Sequence, residues 1–136
     1  MTRRQAREQA FVLVFEKSFD HSIEMQDIID LAVEEQLQEP NEFSTYLALK
    51  TWENVDSIDS YIDNNSVGWK KSRLSKVTLA ILRIAICEIV YCEDIPVGVS
   101  INEAVDICRK YANDEEAAFV NGVLGSVSKS LENKAE

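Results

Sequence analysis

The chain has 136 residues and sets 14 Lys+Arg against 24 Asp+Glu, a formal net charge of −10. A summed charge of that sign repels polyanions, so any nucleic-acid role has to rest on how the charge is distributed. With 46% hydrophobic and 28% charged residues, four Gly and two Pro, the composition suits a single all-α domain over 1–136 and excludes a turn-rich β-sandwich or barrel.

Residues 3 to 17 contain no helix breaker, and Ala6, Ala10, Leu13 and Val14 recur at three- and four-residue spacing, which predicts a first helix starting at an arginine cluster. Ser22 can cap a second, whose apolar stripe is Met25, Ile28, Ile29, Ala32 and Val33 and which ends before Pro40. Asn41 can cap a third, with Phe43, Leu47, Thr51, Val55, Ile58 and Ile62 on one side, stopping at the polar turn Asn64, Asn65, Ser66 and Gly68. From about Ser75 to Cys92 the chain is apolar on nearly every side, the mark of a helix surrounded by others. Ile95 and Pro96 break it. Ser100 and Glu103 have capping-box spacing and predict the start of a helix with Ile101, Ala104, Val105 and Cys108 inward. Asn113 or Asp114 begins the last helix, with Glu115 and Glu116 at its positive end and Phe119, Val123, Val127 and Leu131 on one face. The reading is six or seven helices.

The charge is uneven along the chain. From Asp20 to Asp63 there are twelve acids and one base, a local net of −11, so the other 92 residues carry +1. The acids fall on what reads as the solvated face of the second and third helices. Two stretches hold bases and no acid: residues 1 to 7, with Arg3, Arg4 and Arg7, and Asn64 to Cys87, with Lys70, Lys71, Arg73, Lys76 and Arg83.

Catalytic and metal-binding patterns are missing from the sequence. His21 is the only histidine, and no H-E-x-x-H, G-x-S-x-G, P-loop or G-x-G-x-x-G pattern occurs. Acid pairs such as Asp27/Asp30 and Asp56/Asp59 read as solvated surface charge. Cys87, Cys92 and Cys108 lie in apolar stretches without C-x-x-C spacing and read as core thiols. The expectation is a cytoplasmic non-enzyme without cofactor or metal. No stretch is long and uncharged enough to span a membrane: Val77 to Cys92 includes Arg83 and Glu88.

Two features invite a functional reading. On a helical projection of about 100° per residue, Arg3, Arg7 and Arg4 fall on one side that Phe11 and Phe15 continue. Cations at a helix N-terminus oppose the macrodipole, so stability alone does not select them. They suit phosphate contacts beside a stacking or partner surface. In the last helix, Gly122 and Gly125 interrupt an apolar pattern at a cost of about 1 kcal/mol each, which a neighbouring helix or a ligand close to the backbone would justify.

Four segments carry a resemblance. Arg3 to Ala10 (RRQAREQA), Leu82 to Ala85 with Glu88-Ile89, Ile95 to Val105 (IPVGVSINEAV) and Phe119 to Leu124 (FVNGVL) follow one another in an order that resembles the NusB family of transcription antitermination factors. The resemblance implies a NusB-like fold of two packed helical bundles. It also implies an adaptor that pairs with ribosomal protein NusE, binds single-stranded boxA RNA of ribosomal operons, and joins NusA and NusG on RNA polymerase. Arg3, Arg4 and Arg7 match the family's arginine-rich RNA-binding start, Phe119 its aromatic near the RNA, and Asn121 the same motif. Phe15 occupies a position near the NusE interface where the family commonly has Tyr. Gln5 stands where some members have a third Arg, and Ala118 where a Lys often precedes the Phe. Both reduce positive charge and imply weaker intrinsic RNA affinity. On this reading Arg7→Glu weakens RNA binding at least about tenfold and spares the fold. Self-association of the free protein stays open at this point. So do a protein-interaction role without RNA and a domain detached from a ribosomal-RNA cytosine methyltransferase.

Overall fold

The computed structural model describes residues 1–66 and 74–135, with side chains through residue 133. Gly68 of the expected polar turn, and Lys70, Lys71 and Arg73 of the second basic stretch, lie outside the described residues. The helices described are α1 (Arg3–Lys17), α2 (Met25–Glu34), α3 (Glu42–Glu53), α4 (Val55–Asn65), α5 (Lys76–Tyr91), α6 (Val97–Tyr111) and α7 (Asp114–Ala135). Eleven of the sixteen residues of α5 are buried, as its all-round apolar pattern predicts. Helices α1, α2 and α3 pack on one another, and α1 and α3 also pack on α5. Helices α6 and α7 pack together, α4 joins α7, and all three meet α5. The two bundles therefore share α5.

Side-chain caps fix several helix starts. Thr2 Oγ1 accepts the Gln5 N–H at 3.1 Å while Gln5 Oε1 accepts the Thr2 N–H at 2.8 Å, a capping box that sets where α1 begins. Gln5, which by resemblance stands in an arginine's place, is thus part of the cap. Asn41, Ser75 and Asn113 cap α3, α5 and α7 by accepting the N–H three residues on.

Three expected boundaries differ. Ser22 does not cap α2; its hydroxyl and N–H both bond Asp20 Oδ1, closing the preceding loop, and Glu24 holds the cap position without a side-chain bond. Hydrogen bonds to Ser22 also hold the Asp20 carboxyl below its usual range. Ser100 does not open α6. That helix starts three residues earlier, after Pro96, which leaves Ser100 buried within it. The expected third helix is two, α3 and α4, separated at Asn54 (φ −114°, ψ 22°), whose side-chain amide donates to the Lys50 carbonyl.

The three cysteines are buried and unpaired. Desolvation pushes the Cys87 thiol up to about 12 and raises those of Cys92 and Cys108.

Candidate nucleic-acid interface

The capping box places Arg3 and Arg4 in the exposed first turn of α1, and they turn to different partners. The Arg3 guanidinium lies over the Phe43 ring, 3.9 Å from its centroid, at the start of α3. Arg4 reaches α6, where Nε donates to Glu103 and Nη2 donates to Asp106 at 2.9 Å. Glu103 and Asp106 share a helix face, and both hold the guanidinium strongly protonated, Glu103 most of all. Arg109 extends this network by meeting Asp106 at 3.3 Å and Asp114 at 3.7 Å.

Arg7, one turn further along α1, is only 4% exposed. Its Nε and Nη2 each lie 2.9 Å from the Glu88 carboxylate on α5, and the Ser100 hydroxyl donates to the same carboxylate at 3.0 Å. The expectation that Arg7 stands free for phosphate and tolerates Glu is corrected by this geometry. Arg7→Glu would bury two carboxylates against each other. In the second basic stretch Arg83 is corrected in the same way, whereas Lys76 is exposed. Arg83 is buried, pairs bidentately with Asp59 at 2.8 Å, and lies over Trp52. Asp59 is therefore a core partner and no part of a solvated acidic face. Among the described arginines, Arg3 alone has a ring and no carboxylate as partner.

Phe119 and Asn121 sit on α7, a different helix from the arginines. Asn121 is exposed, while Phe119 is half-buried against the core. Apart from the adjacent residues and the nearby backbone of α7 itself, no described atom lies within 4 Å of a Cβ built on Gly122 or Gly125, so the close approach of a neighbouring helix is absent there among the described residues. Helix α6 connects the two groups, since it supplies the acids that hold Arg4 and packs along α7.

Phe15 lies in an aromatic row along α1, 6.3 Å from Phe11 and 4.9 Å from Phe19 between ring centroids. Phe19 is 61% exposed, with the Lys76 ammonium 5.0 Å over its ring. The four-residue spacing of Phe11, Phe15 and Phe19 was present in the sequence.

The arrangement offers a guanidinium stacked on a ring, a second guanidinium held by acids, and an exposed amide on α7. Guanidinium groups pair with anions and stack on planar rings, and an amide can hydrogen-bond either. Among the described residues no group of three metal-ligating side chains occurs, and no helix is long and apolar enough to cross a membrane.

A model of the NusB family matches residues 4–129. The chain is 43% identical over 139 aligned residues to the transcription antitermination protein NusB of Natranaerobius thermophilus, covering 99% of each. It is 37% identical over 132 residues to NusB of Bacillus subtilis, covering 97% of this chain and 98% of the relative. Among solved structures it is similar to antitermination factors NusB and NusE in complex with dsRNA, with a TM-score of 0.82 at 25% identity, covering 94% of this chain and 96% of that one. It is also similar to T. maritima NusB, with a TM-score of 0.80 at 28% identity, covering 95% and 92%.

Proposed function

Because the chain belongs to the NusB family, we propose that it is a cytoplasmic transcription antitermination factor that acts without catalysis. It pairs with ribosomal protein NusE, binds boxA RNA of ribosomal operons, and with NusA and NusG keeps RNA polymerase processive. The observation that carries this reading is the end-to-end likeness, in sequence to NusB proteins and in fold to a NusB–NusE complex with RNA.

In the proposed site, Arg3 and Arg4 meet phosphates, Phe119 packs on a base or sugar, Asn121 helps to read the strand, and Phe15 contributes to the NusE-facing surface. Arg3 is well prepared for its part. Its guanidinium is exposed and pre-oriented on Phe43, so little side-chain freedom is lost when a phosphate arrives. Arg7 acts one step back by tying α1 to α5 and α6.

The test is a titration of labelled boxA RNA with and without NusE. NusE should tighten binding. Arg3→Glu should weaken it at least about tenfold with thermal unfolding nearly unchanged, since the residue is exposed. Equal affinity of variant and native protein would overturn the assignment.

A further inference from the structure

We propose that Glu103 and Asp106 form an acidic clamp that occupies Arg4 in the free protein and thereby sets the affinity for RNA. The proposal rests on the reading of the α1 start as a phosphate-contacting surface.

Arg4 is held by Glu103 at Nε and by Asp106 at Nη2. Asp106 is shared with Arg109, which also meets Asp114, so two guanidinium groups face three carboxylates and the cluster is net negative. Phosphate and carboxylate engage a guanidinium fork with the same geometry, and here they compete for one group. Burial decides whether such a competition is open. The Arg7–Glu88 pair is 5% and 2% exposed and closed to exchange, whereas Arg4, Asp106 and Glu103 are 43%, 45% and 23% exposed. Exposed pairs are weakly held, so a phosphate can displace them, and the clamp lowers affinity without abolishing binding. The clamp also keeps the Arg4 side chain at the surface, next to the helix that packs along α7.

The experiment measures binding of boxA RNA to the full chain with NusE present. The expected result for the double variant Glu103→Gln, Asp106→Asn is binding roughly three- to tenfold tighter, with the salt dependence steeper by about 0.7 in log–log slope, the contribution of one more phosphate contact. Asp106→Asn alone should move both readings in the same direction by less. With Arg4→Met in the background, most of the gain should vanish, because the released group is missing. A gain that persists undiminished without Arg4 would assign the effect to general charge and overturn the clamp. So would weaker binding by the double variant, which would make the acids positioning residues for Arg4. If the native protein with NusE binds no boxA RNA, the reading of the site fails first and takes the clamp with it. Binding by the native protein with no response to the acid substitutions defeats the clamp alone.

Discussion

Arg4 and Arg7 stand one turn apart on α1 and both face carboxylates, yet their surroundings give them different energetics. The Glu88 carboxylate accepts two bonds from Arg7 and one from Ser100, and all three residues are buried. Removing the guanidinium leaves a buried charge unpaired, so Arg7→Ala should destabilise the protein by about 3–5 kcal/mol in urea unfolding. The double variant Arg7→Met, Glu88→Met should recover most of that loss, because neither charge is left behind. Arg4→Ala, which breaks exposed pairs, should cost under about 1 kcal/mol. Equal losses for Arg4→Ala and Arg7→Ala would show that burial does not separate them. Cys87 offers a second test at this scale, in the alkaline range. Its folded-state pKa is pushed up to about 12 by burial, above an unfolded value near 8.5. The folded protein therefore holds the proton more tightly. This contribution to stability is fully present below about pH 8.5 and is lost as pH rises from there toward 12. Thermal unfolding should show this alkaline decline in the native protein and less of it in Cys87→Ala. Thiol reagents at neutral pH should label Cys87 only as the protein unfolds.

Single residues in a helix carry costs that packing has to explain, and α7 contains two that packing does not explain. Gly122 and Gly125 have open space where a Cβ would stand, so Gly122→Ala and Gly125→Ala should each stabilise the protein by about 1 kcal/mol, readable as a rise in unfolding midpoint. Gly122 is exposed beside Asn121. A gain in stability there combined with a loss of RNA affinity would mean that RNA approaches this backbone closely. At α2 the strain is visible in the backbone. Gln36 adopts φ 59° so that its N–H and that of Leu37 can close the helix end on the Val33 and Ala32 carbonyls. Helix positions were largely legible in the sequence because breakers, caps and apolar patterns mark them: α1 follows from the absence of breakers, α3 from Asn41 and α5 from its all-round apolar run. The division at Asn54 was hidden because Leu47, Thr51, Ile58 and Ile62 are buried on both sides of it, and a bend that keeps the same face inward leaves the apolar period intact. The partners of arginines were hidden for a different reason. Arg7 and Glu88 are 81 residues apart and Arg83 and Asp59 are 24 apart, and no local pattern distinguishes a basic residue destined for the core from one left at the surface. The candidate site was therefore legible as a location, the start of α1, and not as a division of labour among its arginines.

Across the whole molecule, the net charge of −10 is arranged so that much of the positive charge is already engaged. Arg4, Arg7, Arg83 and Lys110 each meet a carboxylate, while Glu34 and Glu35 are exposed at the end of α2 with no basic residue in its last turn. Acids at a helix C-terminus oppose the macrodipole at a cost of a few tenths of a kcal/mol each, so stability does not account for them. Association with a basic partner would account for them, because an acidic surface steers a cation-rich protein toward it and raises the rate of encounter. If NusE is that partner, Glu34→Lys, Glu35→Lys should slow association severalfold at low ionic strength and leave dissociation nearly unchanged, since rim charges act on approach more than on the docked state. Raising the salt should erase the difference as the screening length falls from about 10 Å at 0.1 M to about 3 Å at 1 M. Rapid-mixing measurements of the two rate constants at several salt concentrations decide the matter. An association rate that does not respond to the charge reversal would mean that the acidic flank serves solubility and that recognition of NusE lies elsewhere, with the aromatic row ending at Phe19 as the next surface to alter.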